Sequence, residues 1–107
     1  MKVRIALVPQ SAAVKTGVLG GVRFSEIVEE VMSTMAVVLK SLPGTHRINK
    51  VVVVTTCLEL ATMHPGFVEY KQCLIDSLND LANVLMSDGL AKLSQKTRAL
   101  SSSVMGL

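Results

Sequence analysis

Aromatic residues are nearly missing from this chain of 107 residues: Phe24, Phe67 and Tyr70 are the whole set, and there is no tryptophan. That excludes a core built on large rings and leaves Val, Leu, Ile and Met to fill it. It also removes the stacking platforms on which single-stranded nucleic acid is usually held. There are only two cysteines, Cys57 and Cys73, and no C-x-x-C pair, which argues against a structural zinc site. No apolar run approaches the roughly 20 residues of a membrane helix. The opening Met1–Pro9 is basic, but Arg4 breaks its apolar part and Pro9 stops it, so no signal peptide is expected. From two cysteines and no leader, a cytoplasmic protein with reduced thiols is expected.

Half of the residues are hydrophobic, too many for a disordered chain and enough for one small domain. The net charge of +3 is modest but unevenly spread. Lys2, Arg4, Lys15 and Arg23 near one end, and Lys92, Lys96 and Arg98 near the other, have no acid among them. Glu59, Glu69, Asp76, Asp80 and Asp88 crowd the middle. The basic ends could meet phosphates or an acidic protein partner. Offsetting the acidic middle, within one chain or between copies, accounts for them without either.

Periodicity predicts the elements. Lys2–Val8 alternates, as a half-buried strand does. Residues 10–24 read as a second strand in a hairpin or as an ordered loop. Ser25 has the character of an N-cap. Beyond it Ile27, Val28, Val31, Met35, Val38, Leu39 and Leu42 fall at helical spacing on one apolar face, and Pro43-Gly44 stops the helix. Ile48–Cys57 contains the continuous β-branched run Val51–Thr56, which predicts a strand buried on both faces. Pro65-Gly66 leads into a long helix with Phe67, Tyr70, Leu74, Leu78, Leu81 and Leu85 along one side. Gly89 stands where a left-handed C-cap belongs. Leu90, Leu93, Thr97, Leu100 and Val104 then make a thinner stripe.

The expected fold is therefore α/β, a small two-layer sandwich of two to three strands with two main helices and a C-terminal helix or tail. Residues 1–89 would form the domain. Residues 90–107 would dock on a partner through Lys92, Lys96 and Arg98, so that deleting them leaves a folded domain with weakened assembly.

Candidate chemistry gathers at the end of the predicted Val51–Cys57 strand. Ligands bind outside the carboxyl ends of strands in open α/β sheets, which singles out Cys57, Glu59 and His64 as catalytic candidates. Cys57, His64 and Cys73 lack the close pair a metal site needs, and a buried, inert thiol is the simpler account of Cys57. Lys15-Thr16-Gly17 matches one short β-lactamase motif without its Ser-x-x-Lys partner. Gly17–Gly21 lacks the spacing of a phosphate loop. His46 and Arg47 read as members of a solvated loop.

No cofactor and no metal are expected. The function expected is that of a non-enzymatic, self-assembling structural or interaction protein, a homo-oligomer in which a second copy covers the sheet. A small enzyme or ligand-binding protein using Cys57, Glu59 and His64, and a nucleic-acid binder using the basic termini, are the alternatives.

Overall fold

The computed structural model describes residues 22–41 and 45–107. They form four helices: α1 (Val22–Lys40), α2 (Thr45–Met63), α3 (Val68–Ser87) and α4 (Ala91–Met105). There is no strand among the described residues. The expected α/β sandwich is thus corrected to a helical bundle. The predicted strands at Lys2–Val8 and Ser11–Thr16 lie outside the described residues.

The central error has a physical cause. The run Val51–Thr56 lies inside α2. Val51, Val54, Cys57, Leu58 and Ala61 are buried, while Val52 and Val53 are about half exposed. The buried positions recur at three- and four-residue steps, the helical period. That period was hidden because the outward positions are apolar too. Six β-branched residues cost a helix roughly 3 kcal/mol in propensity, at about 0.5 kcal/mol each. Burying Val51, Val54 and Leu58 contributes about 1.5–3 kcal/mol apiece, so packing outweighs propensity.

Short connections at 41–44, 64–67 and 88–90 join successive helices, which makes neighbours antiparallel. α1 packs on α2 and α4, α3 packs on α2 and α4, and neither diagonal pair packs directly. This is an up-down-up-down four-helix bundle. One core runs through it, with Ile27, Val31, Met35 and Val38 from α1, Val54 and Leu58 from α2, Leu74, Leu78, Leu81 and Leu85 from α3, and Leu100 and Val104 from α4.

α1 begins at Val22, so Ser25 lies within its first turn rather than at its cap. Starting earlier brings Phe24 into the core. At its other end Ser41 closes the helix, its N–H and its hydroxyl both donating to the Val37 carbonyl. α3 ends as expected. Gly89 adopts φ +83°, a conformation a side chain would strain. Its N–H donates to the Met86 carbonyl, and the Leu90 N–H to the Leu85 carbonyl. This is the paired bonding of a Schellman motif.

α4 packs in the same bundle through an unusual face. Ser94, Thr97 and Ser101 are buried beside Leu100 and Val104. The Ser94 hydroxyl donates to the Ala82 carbonyl of α3 at 2.8 Å. Thr97 satisfies its hydroxyl on the Leu93 carbonyl of its own helix. Small side chains here let α4 lie close to α3, which is why its apolar stripe looks thin.

The Thr34 hydroxyl of α1 is buried with no hydrogen-bond partner among the described residues. A buried donor left unpaired loses its water bond and gains nothing. Thr34→Val keeps the shape and removes the hydroxyl. It is expected to raise stability by about 1 kcal/mol, read as a higher urea midpoint at unchanged slope. A lower midpoint would mean that the hydroxyl is bonded in the folded protein.

Candidate interaction surface

The structure does not bring Cys57, Glu59 and His64 together. Cys57 is on the buried side of α2, and its sulfur is bonded to that of Cys73 on α3, with the Cα atoms 5.8 Å apart. The expectation of two reduced thiols is therefore corrected: no free cysteine is present among the described residues. Sequence separation of 16 residues hides the pairing; the antiparallel turn at 64–67 puts the two positions level. Glu59 lies two residues on, about 200° further around the helix, and is exposed. His64 follows the end of α2, is exposed, and packs against Phe67 and Tyr70 with ring centroids 5.6 and 5.5 Å away. His64 and two of the chain's three aromatic residues, Phe67 and Tyr70, thus build the α2–α3 corner.

The three basic residues of α4 also part company. Arg98 reaches α3, where its guanidinium donates to the Asn83 side-chain carbonyl. Lys96 faces the opposite way, into an open cleft between α1 and α4 that Glu26, Glu29 and Glu30 also line. Lys92 precedes Lys96 by one turn on that side. Basic α4 therefore lies against the acidic flank of α1.

His46 and Arg47 are not a solvated loop. Both lie in the first turns of α2, and Arg47 is only 4% exposed. Its Nη1 is 3.5 Å from the Asp88 carboxylate, which also meets His46 Nε2 at 3.0 Å. The guanidinium stands at the carboxyl end of α3, where helix carbonyls carry partial negative charge. It ties α2 to the C-terminal turn of α3. A second tie, Lys50 to Asp80, links the same helices.

The remaining surface with a distinct character is apolar. On α1, Arg23, Glu26, Glu29, Glu30 and Ser33 line the α4 cleft. At 100° per residue, Val28, Met32 and Leu39 fall on the other flank, beside α2. On α2, Val53 lines the groove towards α3, so Ile48, Val52, Thr55 and Glu59 fall on the side towards α1 and outward. Met32 is 51% exposed, Leu39 52%, Ile48 46% and Val52 54%. The outer face shared by α1 and α2 is thus a band of half-exposed aliphatic side chains, with Ala36 also exposed within it.

Sequence reasoning missed this band by assigning Val28 and Leu39 to the core face of α1 and Val52 to a buried strand. One signal was available. The apolar arc of α1 from Ile27 to Leu39 is wider than one packed face requires, and α2 has no polar face to set against its core.

No family model, curated protein or solved structure matches this chain. Among the described residues, no helix is long and apolar enough to cross a membrane, and no group of His, Cys, Asp and Glu is placed to hold a metal ion.

Proposed function

We propose that this protein is a non-enzymatic assembly or interaction module, and that the outer α1/α2 face is its working surface. The observation that supports the reading is the band Met32, Leu39, Ile48 and Val52, each about half exposed. Contiguous apolar surface on a small domain carries a solvation cost that association removes. The enzyme alternative asks for a Cys57 thiol, which the disulfide occupies. The nucleic-acid alternative used the basic termini, of which Arg98 and Arg23 are engaged with Asn83 and Glu26, while Lys2, Arg4 and Lys15 lie outside the described residues. A cytoplasmic location was expected from the two cysteines and the lack of a leader; the Cys57–Cys73 bond does not support it, since such bonds persist mainly in oxidising compartments.

Sedimentation velocity on the full chain from about 1 to 200 μM, a range set by ordinary interface affinities, tests the reading. The expected result is a mass that rises above the 11.4 kDa of one chain. A strictly monomeric chain across the whole range would remove assembly as its role.

A further inference from the structure

We propose that the Cys57–Cys73 bond is a thiol-exchange site that opens from one side. An external thiolate attacks the Cys73 sulfur from the groove between α2 and α3, and that groove favours neutral or cationic thiols over anionic ones. Such a site does not depend on assembly of the chain.

The two cysteines differ in access. Cys57 is 3% exposed and lies in the core with Val54, Leu58 and Ala61. Cys73 is half-buried, and it lines an open groove of about 550 Å³ with Val53 of α2 and Asp76, Ser77 and Asp80 of α3. Cys57 is not among the walls of that groove. The rate of thiol–disulfide exchange depends on access to the sulfur under attack. A thiol in the groove therefore reaches Cys73 while the bundle is folded, whereas reaching Cys57 requires α2 and α3 to part.

The exchange balances without a further reagent. The lone pair of the thiolate forms a new bond to Cys73 Sγ. The Cys57–Cys73 bond breaks, its electron pair leaves on Cys57 Sγ, and that sulfur takes a proton from water. The external sulfur is oxidised and Cys57 is reduced. A second thiol attacks the external sulfur of the mixed disulfide, frees Cys73 as a thiol and departs as a symmetric disulfide. Without it, Cys57 recloses on Cys73 and releases the first thiol.

Charge around Cys73 chooses the thiol. At 100° per residue, Glu69, Asp76 and Asp80 fall within about 60° of Cys73 around α3, and Lys71 about 160° away. Glu69 and Asp76 stand one turn to either side of Cys73, roughly 5–6 Å between Cβ atoms. Both are exposed, and neither forms an ion pair among the described residues. Asp76 accepts a hydrogen bond from the neutral amide of Gln72. The nearby cations are engaged further along the groove, Lys50 with Asp80 and Arg98 with Asn83. Two uncompensated carboxylates beside the reacting sulfur repel an arriving anion and attract a cation.

The test uses the full oxidised chain, folded, with cysteamine, 2-mercaptoethanol and 2-mercaptoethanesulfonate as cationic, neutral and anionic probes at matched thiolate concentration. Each rate is divided by that of the same thiol on the neutral 2-hydroxyethyl disulfide, which removes intrinsic reactivity. Opening is expected to be first order in thiol, and acid-quenched peptide mapping to find the added group on Cys73. The normalised preference for cysteamine over 2-mercaptoethanesulfonate is expected to be about tenfold at low salt. Glu69→Gln with Asp76→Asn is expected to cut it to about twofold, with a thermal melt as the control for folding. In single-cysteine chains, Cys57→Ser is expected to take up cystamine at Cys73 at least ~10-fold faster than Cys73→Ser takes it up at Cys57. An adduct on Cys57, equal uptake by the two single-cysteine chains, or a rate independent of thiol concentration would overturn the one-sided opening. A normalised preference near one, or one untouched by the double variant, would overturn the charge selection. Free thiols in the starting protein would overturn both.

Discussion

A chain ending at Leu90 is expected not to fold. Removing α4 takes Leu100 and Val104 out of the core and leaves Ser94's acceptor, the Ala82 carbonyl, without that partner. Those two side chains and the half-buried Leu93 contribute on the order of 6 kcal/mol by burial alone. The surfaces they cover on α1 and α3 would then face water as well. α1 would retain only α2 as a neighbour. Against a total stability of roughly 5–15 kcal/mol for a domain, the remainder has too little to hold it. Circular dichroism on the truncated chain should show reduced helicity and no cooperative melt. A sharp melt near that of the full chain would mean that α4 is an appendage, as the sequence pattern suggests on its own.

Reduction of the Cys57–Cys73 bond is expected to have the second-largest effect. The bond closes a loop of 16 residues between α2 and α3. Constraining a loop of that length in the unfolded chain stabilises the fold by about 3 kcal/mol. For a domain of this size that corresponds to a fall of roughly 10–20 °C in Tm on adding reductant. The bundle itself should survive, because Leu74, Leu78, Leu81 and Leu85 still pack against α2 and α4. Thiol titration of oxidised, denatured protein should find no free sulfhydryl. Two titratable thiols before reductant, or an unchanged Tm after it, would show that the two cysteines do not form this bond in solution.

Local chemistry was legible wherever one residue type carries one backbone meaning. Gly89 announces the end of α3 because a positive φ is cheap only for glycine. Pro65-Gly66 announces the corner before α3. Leu74, Leu78, Leu81 and Leu85 announce its buried side, because polar residues such as Asp76 and Asn83 define the other. The apolar spacing of Ile27, Val31, Met35 and Val38 announces α1 in the same way.

Legibility failed where both faces of an element share one character. Val51–Thr56 reads as strand because β-branched residues prefer one and no polar face betrays the helical period. Val28, Leu39 and Val52 were read as buried for the same reason: from sequence, an aliphatic side chain on a flank cannot be told from one that points inward. Burial of Arg47 was equally invisible, since it depends on where the carboxyl end of α3 and Asp88 arrive in space. So was the disulfide, which joins positions that only the turn at 64–67 makes level.

By itself, then, the sequence determined an apolar chain with helices over most of Val22–Lys40 and after Pro65, a stop at Gly89, and charges divided between basic ends and an acidic middle. These follow from interactions within a few residues of each other. Only the tertiary structure decided that α2 is a helix, that Ser94, Thr97 and Ser101 point inward, that Cys57 meets Cys73, and which aliphatic side chains remain uncovered. Each of those depends on what a distant helix presents to the same spot. For α2 the reason is energetic: a modest local preference for strand is outweighed by burying Val51, Val54 and Leu58 in the core between α1 and α3.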